Sequence, residues 1–346
     1  MIKDNREYGI DLIKVLAIFL VILVHGLSSS QLLLSPINSS VAIIALLLRI
    51  ISMINIPLFF ISMGYLNNKY EFNLKYINRF KPIVISYLLA VLFTIITESF
   101  FGVNELTVQV VIGEFFDMNV SNYAWYARMY FMFFWMIPFL NKWFNSMDSK
   151  NEIRCFLMVL SSIVALPALS NPIFKELGLN ISLPTYFVQM YPLLYYFIGM
   201  YIKKFPVEIK KTKLITMSTF IVIIQLFVYI IRFKDTQPNL NTFGSYGSLI
   251  NVVLASCVFL YCKGITIKRI FLKKKLIYVS NHTFDIYLIS HIFDRRIYPI
   301  FNRIIHNLDG RLLTLVFPML LTIFGSLIYV YLKDFLTKRI EQTKKT

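Results

Sequence analysis

The chain has 346 residues, of which 57% are apolar and 15% charged, with a formal net charge of +17. Soluble domains run at about 45 to 50% apolar and about 25% charged, so both departures point to a lipid environment. They exclude a disordered chain and a coiled coil, and three Cys are too few for a disulfide-stapled secreted module. Cys155, Cys257 and Cys262 lie in apolar stretches without zinc-site spacing and read as buried thiols.

A helix needs about 20 mainly apolar residues to cross a bilayer. In chain order such runs fall near 10–34, 41–66, 82–101, 123–140, 153–170, 185–202, 214–231, 245–262, 276–293 and 312–332. A shorter run, Leu106 to Phe116, is too brief to cross and reads as an interfacial or re-entrant piece. With ten spans both termini share a side. The N-terminus, alternate loops and C-terminus hold 25 of the 35 Lys and Arg when Arg154, at the edge of its run, is counted with the preceding loop; the opposite loops hold 7, and Lys14, Arg49 and Arg128 fall within spans. The positive-inside rule therefore places both termini in the cytoplasm. The basic charge is topogenic and faces anionic lipid, so nucleic acid is not an expected partner. The first run is too long for a cleavable leader, and no repeat or large loop interrupts the pattern. The expected fold is an all-α membrane protein of about ten transmembrane helices, one domain over 1–346.

Ionisable residues inside a bilayer are costly and mark function by default. Lys14 and His25 stand eleven residues apart in the first run. At about 100° per residue that returns them to one helix face, about 16 Å apart along the axis. Such a stripe suits an elongated ligand with an anionic head. The plainer reading has Asp11 neutralising Lys14 at i−3, Lys14 snorkelling to the headgroups and His25 capping the helix end.

The sequence resembles the acyltransferase 3 family of bacterial integral membrane acyltransferases. That family's first helix carries Asp, then Arg, ten residues, then His, which Asp11, Lys14 and His25 match with Lys in place of Arg. Further motifs are similar in order: Ile56 to Leu66 with its Pro-Leu-Phe run and Gly-Tyr ending, the basic loop Lys75 to Pro82, Ala124-Trp125-Tyr126, Tyr195 to Tyr201 around Gly199, and Thr283 to Ile289. Two positions depart. Lys14 lacks the planar fork of a guanidinium, and the family's His after the late Tyr is replaced by Ser290, with His291 one place on.

The resemblance implies transfer of an acyl group, commonly acetyl, from cytoplasmic acyl-CoA to a hydroxyl of a cell-surface polysaccharide or lipid-linked glycan. The setting would be the bacterial cytoplasmic membrane, with no metal. His25 would act as base or transient acyl carrier, since neutral imidazole can do either. Lys14 would hold the donor or polarise the thioester carbonyl, and Lys75, Arg79 and Lys81 would meet the phosphates of acetyl-CoA. Arg49, Trp125, Tyr126, Arg128 and Tyr287 are candidates to line a substrate tunnel, although Arg49, Glu98 and Arg128 can equally tie helices together. Asp285 and His282, at i and i−3, read as structural. Arg295, Arg296, Arg303 and Arg311 form an outer loop that breaks the charge trend, tolerated because the rest of the chain fixes orientation or, alternatively, placed to meet an anionic acceptor. The rival from another class is a transporter or flippase for a lipid-linked glycan, which would also need about ten spans and buried cations, but no paired broken repeat is visible.

Overall fold

The computed structural model describes residues 6–34, 36–102, 107–109, 112–113, 123, 125–234 and 244–343. Among them the chain is helical, with no strand. Most of the Leu106 to Phe116 run, together with Ala124, lies outside the described residues.

The long apolar runs become helices because nothing in bilayer hydrocarbon but the helix itself can satisfy the backbone. Helix α1 spans Tyr8–Ser29 and stops where Gln31 takes a left-handed φ of 62°. The second run is broken. Helix α2, Ser40–Ser52, is capped by Ser39 Oγ, which accepts the Ala42 N–H at 3.2 Å, and α3 follows over Asn55–Asn67. Pro57 explains the break: it has no N–H to offer Met53, and its ring clashes with that carbonyl in a continuous helix. The chain turns at Met53 and Ile54 and restarts, with Pro57 in the first turn where it is tolerated.

The remaining helices are α4, Leu74–Ile77; α5, Phe80–Phe100; α6, Trp125–Asn145; α7, Lys150–Glu176; a 3-10 turn, Thr185–Met190; α8, Tyr191–Lys204; α9, Lys211–Phe233; α10, Leu249–Lys263; α11, Ile270–Asn281; α12, Thr283–Ile304; α13, Leu308–Thr314; and α14, Val316–Thr343. Among the described residues six stretches are long and apolar enough to cross a membrane: Tyr8–Ser29, Ser40–Asn67, Leu74–Phe100, Lys150–Asn171, Lys211–Phe233 and Val316–Thr337. The other four expected runs are helical but shorter or more polar. The ninth differs most. Residues 276–293 do not form one helix, because the chain breaks at His282 and α12 continues to Ile304.

The chain clusters into two compact units, one of 1–69 and 141–280, the other of 70–140 and 281–346. In the first, α1 packs on α2, α3 and α10, and α3 packs most extensively on α8. Glycine makes that last contact possible. A methyl on Gly64 would lie 1.9 Å from the Tyr196 carbonyl oxygen, and one on Gly199 would lie 2.1 Å from that of Ile61. The Gly-Tyr and aromatic-Gly motifs of the sequence are thus a small-residue crossing of two membrane helices. In the second unit α12 packs on α14 and α5. Apolar side chains also point outward, as with Phe220, Ile223, Phe227 and Ile231 on α9 and Phe317, Leu320, Leu321 and Phe324 on α14. Helices apolar on their outer face are what a lipid surround requires. The same geometry corrects one reading: Cys257 and Cys262 are buried, but Cys155 is exposed on an outward face of α7.

Candidate functional site

In the first unit, α1 carries Asp11 and Lys14 near its start and His25 near its end. Asp11 does not neutralise Lys14. Arg6 reaches Asp11 with both arms of its fork, Nε donating to Oδ2 and Nη2 to Oδ1, each at 2.7 Å, and Ser280 Oγ donates to Oδ1 at 2.6 Å. A bidentate guanidinium wins this contest because it satisfies both carboxylate oxygens at once. The pair closes the start of α1 onto the end of α11. Beside it the Tyr65 hydroxyl donates to Glu7 Oε2 at 2.6 Å and Lys203 Nζ to Oε1 at 2.8 Å. Burial pushes the Glu7 carboxyl up, but the combined pull of Lys203 and Tyr65 holds it below its ordinary value. Lys203 and Lys263 both lie over the Tyr65 ring, at 4.3 and 5.1 Å.

Lys14 is left half-buried, in the field of Asp11 but with no hydrogen bond or ion pair among the described residues. His25, on the same face of α1, is also half-buried. An ammonium on a half-buried stripe can hold an anionic or carbonyl oxygen, and an imidazole further along it can accept a proton.

Arg49 belongs to the same unit, on the last full turn of α2 before the break. Its Nη1 donates to the Met53 thioether, a weak acceptor. Its Nε is sealed from solvent and bonds to nothing, which costs about 1 to 3 kcal/mol. Among the described residues no carboxylate pairs with it. The neutral hydroxyls of Tyr246 and Tyr229 lie near it, and Tyr246 also bonds to the buried Asn55 side chain. Tyr246 is fixed from behind, where its carbonyl accepts the Tyr195 hydroxyl at 2.7 Å and its ring meets Tyr191 at 5.4 Å.

The second unit holds the other candidates. Lys75 on α4, Arg79 at the start of α5 and Lys81 within it are exposed, with Arg79 over the Tyr70 ring at 4.1 Å. Tyr126 and Tyr287 meet at 5.0 Å, with Trp125 6.2 Å from Tyr126. The Tyr287 hydroxyl donates to the Tyr123 carbonyl at 2.6 Å, so this aromatic group is pinned across α6 and α12. Arg128 differs from expectation: it is exposed on α6, because positions 126 and 127 take the buried face there.

The expected outer loop of arginines is also different. Arg295, Arg296 and Arg303 stand on α12, and Arg311 on α13. Arg295 pairs with the buried Glu98, Arg296 covers the Phe101 ring at 4.0 Å, and buried Arg311 donates to the carbonyls of Ile305 at 2.7 Å and Asn302 at 3.0 Å. Arg295 and Arg311 thus make contacts within the unit, while Arg296 keeps a buried Nη2 without a partner among the described residues. Asp285 accepts Lys333 Nζ at 2.6 Å, and His282 lies 3.1 Å from Asp334, which agrees with a structural role. Sequence reasoning missed buried Asp294, which accepts Tyr123 at 3.0 Å and Thr322 at 2.8 Å. Its only signal was its place one residue beyond the expected ninth span.

Six long apolar stretches among the described residues, which are helical without strands, define a multi-pass helical membrane protein. An acyltransferase domain model matches residues 7–331, nearly the whole chain, and the chain belongs to the acyltransferase 3 family. No curated protein and no solved structure matches it. The family and the apolar helices together make it a membrane acyltransferase.

Proposed function

We propose that the protein is an O-acyltransferase with ten spans and both termini in the cytoplasm. It moves an acyl group, most simply acetyl, from cytoplasmic acyl-CoA to a hydroxyl of a cell-surface polysaccharide or lipid-linked glycan. Lys75, Arg79 and Lys81 supply fixed cations for the phosphates of the donor, and Trp125, Tyr126 and Tyr287 supply aromatic surface for a substrate. Lys14 supports the thioester carbonyl, whose oxygen becomes negative as the tetrahedral intermediate forms. In the direct route His25 takes the acceptor hydroxyl proton while that oxygen bonds to the carbonyl carbon. The carbon–sulfur bond then breaks, and the coenzyme A thiolate recovers the proton from the imidazolium. In the two-step route His25 carries the acyl group in between.

The observation that supports this reading most is the state of α1: Asp11 is saturated by Arg6 and Ser280, so Lys14 stays available on the face it shares with His25. The test is alkali-labile acetyl on the surface glycan of cells producing the protein. The wild type should add it and His25→Ala should not, at equal membrane abundance. Equal acetylation by both would remove His25 from the mechanism.

A further inference from the structure

The first unit contains a second intramembrane cation that donor chemistry leaves unused. Arg49 lies nine residues into α2, about 14 Å along the helix axis from Ser40. It has no carboxylate among the described residues, an orphaned Nε, and a thioether as its hydrogen-bond acceptor. Facing it are the Tyr246 hydroxyl and, bonded to that, the side chain of Asn55 at the restart of α3. Among the described residues, the junction that carries Tyr246 holds one more buried donor without a partner, the Ser245 hydroxyl. A guanidinium fork in a membrane helix is normally paired, because an unpaired charge there is costly. An unmet guanidinium N–H on the last turn before a helix break, together with the unmet Ser245 hydroxyl beside Tyr246, fits a ligand that brings the missing negative charge.

We infer that Arg49, with Tyr246 and Asn55, is an anion site that recognises an oxyanion carried by the acyl acceptor. This deepens the acyltransferase reading and rests on its topology: α2 then starts at the outer face, so Arg49 is approached from the acceptor side and not from the side of acyl-CoA. The acceptor class is accordingly an acidic one, either a glycan bearing a sugar carboxylate or a glycan on a pyrophosphate-linked lipid.

The experiment is thermal unfolding of the full-length protein in detergent, without acyl donor, against glucuronate, inorganic pyrophosphate, neutral glucose and NaCl at matched ionic strength. A saturating anion should raise the wild-type midpoint by about 2 to 4 °C above the NaCl control, and glucose should not. A glucuronate response lost in Arg49→Gln assigns the sugar carboxylate, and a pyrophosphate response lost in Arg49→Gln but kept when Lys75, Arg79 and Lys81 are changed to Gln assigns the lipid linkage. Arg49→Gln and Tyr246→Phe should lose the shift, while Lys14→Gln and His25→Ala keep it. Should Arg49→Gln fail to fold, Arg49→Lys decides with Tyr246→Phe, since it keeps the charge but loses the fork and should show a reduced shift. Three results overturn the proposal: a wild type that responds to no anion beyond NaCl, Arg49 and Tyr246 variants that respond as the wild type does, or a shift that vanishes in Lys14→Gln instead. Because no acyl donor is present, failure of the His25 mechanism would leave this readout untouched.

Discussion

Replacing Gly199 with Ala tests the helix crossing that frames the first unit. The added methyl carbon would sit 2.1 Å from the Ile61 carbonyl oxygen and 2.9 Å from the Tyr65 backbone nitrogen. Favourable heavy-atom contact needs about 3.5 Å, so α3 and α8 must part by more than about 1 Å. Neither neighbour is a side chain that can rotate away. Overpacking that moves backbone costs about 1 to 3 kcal/mol, and this site belongs at the upper end. At about 2 °C or more per kcal/mol, the thermal midpoint in detergent should fall by about 6 °C. Gly113→Ala is the control, since a methyl there meets nothing within 4 Å, and it should leave the midpoint unchanged. A Gly199→Ala protein that melts with the wild type would refute the close crossing and the reason given for the glycine motifs.

Two other positions probe polar pairs, one buried at Asp294 and one exposed at Glu7. Asp294→Ala leaves the Tyr123 and Thr322 hydroxyls without their acceptor, and should cost about 2 to 4 kcal/mol, read as a lowered midpoint. Thr322→Val in the same background should restore part of that loss, because it removes one of the stranded donors. The Glu7 carboxyl is held below its ordinary value, so its contribution is complete above about pH 4.5 and fades as pH falls through the depressed value. Glu7→Gln should therefore flatten the decline of the midpoint on acidification, and an unchanged acid limb would show that the Lys203 and Tyr65 contacts carry no weight.

The helical class was legible because membrane helices announce themselves by length and apolarity alone, and the shared face of Lys14 and His25 follows from helical period within one segment. Partnerships were not legible where they span distant segments. Asp11 has a plausible mate three residues away in Lys14, yet its actual partners are Arg6, in a stretch that reads as a mere flank, and Ser280, which is 269 positions distant. The outer arginines looked free because a run of polar residues after an apolar one reads as a loop, whereas α12 continues through them and Glu98 waits on α5. Helix breaks were half visible: Pro57 marks the first, but His282 carries no breaking residue of its own. The surroundings of Arg49 were hidden for the same reason as those of Asp11, since Tyr246 lies nearly 200 residues away on the chain.

The central claim is that the imidazole of α1 handles the group being transferred. Its most direct test is transfer of radiolabel from acetyl-labelled acetyl-CoA by the purified full-length protein in liposomes, with extracted surface glycan as acceptor. The wild type should move label to the glycan, His25→Ala should fall by at least about 100-fold, and Lys14→Gln should fall with a raised requirement for acetyl-CoA. Label reaching the glycan at the wild-type rate in His25→Ala would contradict the account.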